Sequence, residues 1–290
     1  MQKLEKLQRK IRSAEDLQSI VRTMKVMAAV GIHQFEQAVE SLSEYYDTLE
    51  RGLQVVLQKA FSEAKPFIQE DSQEKVGLII MGAGQALCGP FDETISSYTL
   101  EQIRNEKWSD VRIYVLGERL AGYLQQQELI IDRTFEMPGS VNGINALVLE
   151  LLSGMEQWMD QQIRSVRILH NKPVPRKGFM PRTQHLLPLN TAWLEHLMQQ
   201  PWPTNNLPQY GDDSHTLFMA LLRQYLFVSL FRGIAESLAA EYSGRLSAMQ
   251  RAEQKIEERL EQLQQAFRNE RQSTITDELL DIMAGFEAIK

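Results

Sequence analysis

A glycine-rich loop is the part of this sequence whose residue types could bind a phosphate group. It runs from Gly82 to Gly89 and directly follows a short apolar run, 76–81. In a turn from a strand to a helix, backbone N–H groups can cradle phosphate oxygens. The spacing G-x-G-x-x-x-x-G is two residues longer than the dinucleotide-binding pattern, and the loop lacks the Gly-Lys-Ser/Thr of a P-loop. The loop therefore favours a tight turn, with nucleotide binding as the weaker alternative.

A thiol and five imidazoles are the other side chains that could do chemistry. Cys88 could be a nucleophile, because a helix N-terminus lowers the pKa of a thiol. No Cys/His motif accompanies it, so a small buried residue is the simpler interpretation. The histidines are scattered without HExxH or another metal-binding spacing; they are His33, His170, His185, His196 and His215. We therefore predict no catalytic residue, no metal and no cofactor.

The composition narrows the class of protein. The 290 residues are 43% hydrophobic and 24% charged, which is ordinary for one or two folded domains. The net charge of −7 argues against a dedicated nucleic-acid binder. A single cysteine excludes an intramolecular disulfide and a cysteine-only zinc site. No run of about 18 apolar residues is present, and the first ten residues lack the apolar core of a secretory signal, so we expect neither a membrane-spanning helix nor such a signal.

The distribution of proline predicts long helices at both ends of the chain. All ten prolines lie between Pro66 and Pro208, and a proline inside a helix costs about 3 kcal/mol. In the N-terminal segment, apolar or aromatic residues recur with the 3.5-residue period of a coiled coil, and only Gln18 and Lys25 interrupt the pattern. We call these positions the seam: Leu4, Leu7, Ile11, Ala14, Gln18, Val21, Lys25, Ala28, Ile32, Phe35, Val39, Leu42, Tyr46, Leu49, Leu53 and Val56. The seam predicts one helix of about 55 residues, weakened by about 1 kcal/mol at each of the two glycines inside it, Gly31 and Gly52.

The C-terminal segment predicts a second long helix, from about residue 213 to 287. Its apolar residues recur mostly at spacings of three and four, and the charged residues between them form a solvated face. Asp212, Asp213 and Ser214 are candidate N-cap residues. Two helices from opposite ends of a chain pair antiparallel when the segment between them sits at one end of the pair. We therefore predict a long antiparallel coiled coil of the N- and C-terminal helices.

The middle of the chain alternates short apolar runs with helical stretches, which predicts a central, mainly parallel α/β domain. The predicted strands are 76–81, 111–116 and 163–169, the predicted helices are 92–107, 118–127 and 142–160, a further strand or hairpin covers 171–189, and 199–212 is a linker. The predicted division is an N-terminal shaft helix at 1–65, the α/β domain at 66–211 and a C-terminal shaft helix at 212–290. The fold class is thus α/β with a long coiled coil.

Several short motifs of this sequence resemble the gamma subunit of the rotary F-type ATP synthases. Near the N-terminus they are Ile11-Arg-Ser13 and Met24-Lys-Val-Met27-Ala-Ala29; in the middle, Leu87-Cys88-Gly89; and near the C-terminus, Glu236-Ser-Leu-Ala-Ala-Glu241, Arg271-Gln272 and Ile275 to Gly285. The terminal motifs are specific, and the resemblance covers the whole chain in architecture.

The resemblance implies a central rotor shaft that couples ion flow through a membrane ring to ATP synthesis or hydrolysis at the beta subunits. The implied partners are the alpha and beta subunits of the catalytic ring, the epsilon subunit and the c-subunit ring. The chain itself would bind no nucleotide and would be a peripheral membrane protein on the cytoplasmic face of a bacterial plasma membrane. The positions that match the family's shaft contacts to the beta subunits are Met24, Lys25, Arg271, Gln272, Thr276 and Glu278. Arg271 and Glu278 would make charge-assisted hydrogen bonds in some ring positions and lose them in others.

Departures from the family pattern mark this chain as a divergent member. After Ala29 the family usually carries a lysine and nearby arginines, whereas this chain has Gly31, Ile32, His33, Gln34 and Phe35. The shaft contacts near 31–35 are therefore expected to differ. One candidate is the gamma subunit of the alternative, often sodium-pumping, branch of the F-type ATPases.

Two other functions stay open on the residues alone. A free-standing coiled-coil tether with an α/β head would form a homodimer through the seam. A small nucleotide-using enzyme would bind nucleotide at the glycine loop. The rotor interpretation predicts neither result, and it predicts poor solubility of the isolated chain through exposed apolar residues near the C-terminus; these are Leu279, Ile282, Phe286 and Ile289.

Overall fold

The computed structural model describes residues 2–68, 75–174, 178–202, 206, 208, 211 and 213–287. The chain forms two compact units, one made of 1–29 with 245–290 and the other of 30–244. The helices are α1 Gln2–Ser41, α2 Ser43–Ile68, α3 Phe91–Asn105, α4 Glu118–Gln126, α5 Val141–Asp160, α6 Thr191–Gln199 and α7 Ser214–Glu287. The strands are β1 Lys75–Met81, β2 Asp110–Leu116, β3 Arg133–Phe135, β4 Ser165–Val174 and β5 Gly178–Leu187.

The first unit is an antiparallel pair made by the start of α1 and the end of α7. Ion pairs fix the direction, because Lys3 lies 2.6 Å from Glu270 whereas Arg22 lies 3.0 Å from Glu253. Seam residues of this pair face the partner helix: Leu4, Leu7 and Ile11 are half-buried, whereas Val21 and Ala28 are buried. The predicted antiparallel coiled coil is therefore confirmed in this part of the chain.

The N-terminal segment is two helices rather than the single predicted one. A turn at Leu42 separates α1 from α2. On either side, the Ser41 hydroxyl donates to the carbonyl of Ala38 at 3.0 Å, and the Ser43 hydroxyl donates to that of Glu40 at 2.8 Å. Serine side chains that bond nearby carbonyls offer the backbone an alternative to the helical ladder. The heptad count missed this break because the apolar period continues across it.

The second unit contains a five-stranded sheet with the order β3-β2-β1-β4-β5. β1 pairs in parallel with β2 and β4, and β2 pairs in parallel with β3. β5 runs antiparallel to β4. It lies within 171–189, where a further strand or hairpin was predicted, and its partner β4 is the strand predicted at 163–169, extended to Val174. The mainly parallel α/β domain is confirmed as well.

Two elements of this unit, β3 and α6, were not predicted from the sequence. β3 has three residues, too few to show a period. α6 begins at an Asn190 cap, whose side chain accepts the N–H of Trp193 at 3.0 Å. An Asn three residues before an apolar run is a recognisable helix start, so this signal was available.

Helix α7 lies in the core of the second unit over its first half. Phe218, Leu230 and Ile234 are buried in one apolar cluster with Ile79 and Ile168 of the sheet. The opposite sheet face packs against α3 and α4 in a second cluster. Asp213 caps α7, as predicted, because its carboxylate accepts the N–H of Thr216 at 3.1 Å. One window of α7 is long and apolar enough to cross a membrane by length and composition alone, and half of that window is buried inside the protein.

Candidate functional site

The two predicted contact residues on α1 are half-buried beside α7. The Lys25 ammonium pairs with the Glu253 carboxylate, which also accepts a hydrogen bond from Arg22 at 3.0 Å. These hydrogen bonds from Lys25 and Arg22 lower the pKa of Glu253. Lys25 thus has a structural role inside the helix pair, while Met24 lies next to it at the edge of the seam.

The four predicted contact residues on α7 are exposed near its C-terminal end. Arg271 and Glu278 are seven residues apart, which places them on one helix face about two turns from each other. The Thr276 hydroxyl donates to the Gln272 carbonyl at 2.9 Å, so it is turned back onto its own helix.

The six predicted residues do not form one cluster. Lys25 lies opposite Glu253, and Glu270 lies opposite Lys3. The two groups are therefore separated by about 25 Å along α7, at 1.5 Å per residue. The two groups therefore cannot form a single pocket.

Exposed apolar side chains accompany both groups. On α1 they are Leu17, Ile20, Val26 and Met27, and on α7 they are Ile275, Leu279, Leu280, Ile282 and Met283. The predicted exposure of Leu279 and Ile282 is confirmed, at 57% for each. The Phe286 side chain and Ile289 lie outside the described residues. Large apolar residues concentrated on exposed helix faces are typical of a surface that a partner covers.

The backbone N–H groups of the glycine-rich loop bind carboxylates of the same chain. The N–H of Ala83 donates to Asp92 at 2.7 Å. The N–H groups of Gly84 and Gln85 donate to the two oxygens of Glu241 on α7, at 2.9 and 3.1 Å. The amides that would cradle a phosphate are therefore engaged by anions of the protein itself.

Asp92 is a buried carboxylate in this arrangement. Burial raises its pKa, and the hydrogen bond from Ala83 and the charge of Arg119 act in the opposite direction. The Arg119 guanidinium lies 3.2 Å from the second carboxylate oxygen. The Asp92 side chain thus joins the glycine-rich loop to the start of α3.

The rest of the loop makes the predicted tight turn. Leu87 and Gly89 adopt positive φ angles of 68° and 75°. Cys88 is buried, and its thiol donates to the Gln85 carbonyl at 3.5 Å. Gly244 of α7 packs so closely that a Cβ there would lie 2.7 Å from the Cys88 carbonyl oxygen. A buried, hydrogen-bonded thiol agrees with the packing interpretation of Cys88.

A second buried carboxylate of α7, Glu236, joins this helix to the sheet. One oxygen lies 3.2 Å from Nε2 of His170 on β4, and the other accepts a hydrogen bond from Arg232 at 3.0 Å. Lys172 and Arg182 each lie 3.9 Å away. Burial raises the pKa of Glu236, but the hydrogen bonds from His170 and Arg232 outweigh it and lower the pKa to about 2.

Sequence reasoning did not single out these carboxylates as functional. Glu236 and Glu241 stand at the two ends of one quoted motif, and Asp92 carries no motif at all. Their partners come from distant parts of the chain, which spacing does not reveal. Among the described residues, no group of three or more His, Cys, Asp or Glu side chains could hold a metal ion.

Comparisons with known proteins agree on one family. Residues 3–289 match the family described as ATP synthase. The ATP synthase gamma chain of Nautilia profundicola is 26% identical, with all of both chains covered. A chain from the mitochondrial ATP synthase of Euglena gracilis, solved as OSCP/F1/c-ring, has a TM-score of 0.64 at 14% identity, covering 99% of this chain and 94% of that one. A chain of the rotor of the same synthase has a TM-score of 0.58 at 12% identity, with 94% and 99% covered.

Proposed function

Because this chain belongs to the gamma-chain family of the ATP synthases, we propose that it is the central rotor subunit of such a complex. The family match over residues 3–289 carries this conclusion. The subunit couples ion flow through a membrane ring to ATP synthesis or hydrolysis. It therefore belongs to a membrane-associated complex, and we place it on the cytoplasmic face of a bacterial plasma membrane. The choice between protons and sodium ions lies in other subunits.

The paired helices suit the role of a shaft. A buried seam and ion pairs along its length hold the end of α7 against α1, and such pairing resists bending more than a single helix does. The exposed surface differs from one side to the other, with apolar residues concentrated on some faces. A non-uniform shaft presents different contacts to each surrounding subunit as it turns.

The partners proposed for the shaft are the alpha and beta subunits of the catalytic ring. Met24 and Lys25 would meet the ring at one level, and Arg271, Gln272, Thr276 and Glu278 at another. Exposed Arg271 and Glu278 offer charged hydrogen-bonding groups that a passing loop can gain and lose. The epsilon subunit and the c-subunit ring are proposed to bind the α/β domain.

We propose that the subunit is not itself catalytic. The loop most suited to nucleotide has its N–H groups bound to Asp92 and Glu241. The tether alternative needs a free seam for a second copy, whereas seam residues such as Val21 and Ala28 are already buried within this chain. Both observations favour a rotor subunit over the two alternatives.

Co-expression with the alpha and beta subunits of the same source tests the function. We expect a co-eluting complex whose ATP hydrolysis depends on this chain. Arg271→Ala and Gln272→Ala should each lower the chain-dependent rate, because each removes a polar group proposed to contact the beta subunits. A charge-assisted contact of Arg271 contributes about 1.5–3 kcal/mol, which corresponds to a fall of about tenfold or more, whereas a neutral hydrogen bond of Gln272 contributes about 0.5–1.5 kcal/mol and a correspondingly smaller fall.

Matched controls lie on the same helix. Arg251→Ala and Gln265→Ala remove the same side-chain types from exposed positions of α7 outside the proposed contacts. They should leave the rate unchanged. Failure of this chain to associate with alpha and beta would contradict the rotor function, whereas equal effects of all four substitutions would contradict only the contact assignment.

A further inference from the structure

We propose that Glu241 and Glu236 lock helix α7 to the α/β domain, so that a twist applied to the domain turns the helix rather than sliding past it. This inference rests on the proposed rotor function. It assigns to two buried carboxylates the role of positioning residues for torque transfer. α7 continues without interruption from these residues to Glu287, so the attached segment and the proposed contacts at 271–278 belong to one helix.

Glu241 attaches α7 to the loop that follows the central strand β1. Both of its carboxylate oxygens are used, one by the N–H of Gly84 and one by that of Gln85. A carboxylate held by two successive backbone N–H groups is fixed in both position and orientation. Because these donors belong to the backbone, the attachment cannot be released by rotation of a donor side chain.

Glu236 attaches the same helix to the neighbouring part of the sheet. It meets His170 of β4 at 3.2 Å and lies 3.9 Å from both Lys172 of β4 and Arg182 of β5. Five residues separate Glu236 from Glu241, which amounts to about 140° around an α-helix and about 7.5 Å along it. The two carboxylates therefore hold α7 from different sides. Rotation of the helix about its axis in either direction would break the contacts of at least one carboxylate.

Gly244 of α7 allows the close approach that this attachment needs, whereas Gly233 makes ordinary van der Waals contact. Gly244 lies against the Cys88 carbonyl and the Phe179 ring, where a Cβ would come within 2.7 and 2.8 Å. Gly233 lies against the side chains of Ile168 and Met81, at 3.5 Å from a Cβ position. Apolar packing around them is strong but non-directional. The hydrogen bonds of the carboxylates are directional, and they therefore resist rotation of the helix.

The experiment compares Glu241→Gln with Asp92→Asn in the complete ATP synthase reconstituted in lipid vesicles. Both substitutions turn a buried carboxylate that accepts N–H groups of the same loop into its amide. They differ in that Glu241 lies on α7 whereas Asp92 lies on α3, inside the domain. The readouts are the rate of ATP hydrolysis and the number of ions, H⁺ or Na⁺, moved per ATP hydrolysed.

We expect Glu241→Gln to lower the number of ions moved per ATP by about two-fold or more while hydrolysis continues. Asp92→Asn should weaken the loop without changing that ratio. Equal ratios for both variants and the unmodified chain would overturn the inference, and so would an equal fall in both. An unmodified chain that fails to support hydrolysis at all would instead overturn the rotor function.

A second pair covers the case in which Glu241→Gln does not assemble. Glu241→Asp keeps the charge but withdraws the carboxylate by one methylene, and Glu236→Gln removes the other attachment while leaving the loop intact. Each should lower the ion-to-ATP ratio. Hydrogen exchange at the N–H groups of Gly84 and Gln85 in the assembled complex should become faster in Glu241→Asp and stay unchanged in Glu236→Gln. Unchanged ratios in both variants would overturn the inference.

Discussion

Gly31 has opposite effects on stability through helix propensity and through packing. Gly31 lies inside helix α1 and by propensity weakens it. In the structure it makes room for an aromatic ring, because a Cβ at Gly31 would lie 2.6–2.8 Å from ring carbons of Tyr242. That ring stacks on Phe35, with centroids 5.7 Å apart. The loss of helix propensity is therefore offset by close packing between α1 and α7.

Replacing this glycine tests which effect is larger. Gly31→Ala improves helix propensity by about 1 kcal/mol, but it forces the Tyr242 ring to move, which typically costs about 1–3 kcal/mol. We expect a net loss of stability, seen as a lower midpoint of thermal unfolding. Gly122→Ala in α4 is the matched control, since no atom lies within 4 Å of its Cβ position, and it should stabilise by about 0.5–1 kcal/mol. A rise in midpoint for both variants would contradict the packing explanation.

At the scale of elements, the faces of α1 follow the heptad count closely. Seam position Val21 is 8% exposed, whereas Val26, outside the seam, is 65% exposed. The break at Leu42 was not predicted because serine hydroxyls bond backbone carbonyls there without disturbing the apolar period. Strand β3 was not predicted because it has only three residues. Helix α6 was not predicted although Asn190 is a recognisable cap. The division into 1–65, 66–211 and 212–290 stays a prediction, since α1 and α7 each contribute to both compact units.

Two valines on one helix separate folding from partner binding. Val21→Asp buries a carboxylate in the seam and should destabilise the helix pair by about 3 kcal/mol or more. Val26→Asp places the same group in solvent and should change stability by no more than about 0.5 kcal/mol. It should nevertheless weaken co-elution with the alpha and beta subunits, because it charges an exposed apolar face. Thermal unfolding and co-elution measure the two effects.

Either of two results would contradict this separation of folding from partner binding. If Val21→Asp and Val26→Asp lowered the unfolding midpoint equally, the seam would not be the buried face of α1. If Val26→Asp left co-elution unchanged, this exposed face would not belong to the surface covered by the ring.

At the scale of the whole molecule, the chain uses its glycine-rich loop for packing. The N–H groups of Ala83, Gly84 and Gln85 already bond Asp92 and Glu241. A phosphate entering this loop would have to displace these carboxylates and lie beside their negative charges. This engagement of the loop supports the proposed function, in which the molecule acts through its contacts with other subunits.

Nucleotide binding by the isolated chain gives a direct check of this conclusion. Equilibrium dialysis should show no saturable ATP binding at millimolar concentration, since no N–H group of the three is free. The assembled complex of this chain with alpha and beta subunits serves as the positive control. Saturable binding by the chain alone, abolished by Gly84→Val, would contradict the non-catalytic assignment.

The sequence by itself determined the features that depend on a repeating pattern of residues or on contacts between residues close together in the chain. The seam, the cap of α7 at Asp213, the parallel sheet and the family motifs belong to this group, because periodicity and local hydrogen bonding are properties of neighbouring residues. Only the tertiary structure decided what binds the glycine loop, since Gly84 and Glu241 are 157 positions apart. It likewise decided that Lys25 pairs with Glu253, 228 positions away. Such pairings depend on how helices and strands pack in space, and spacing along a single chain does not encode them.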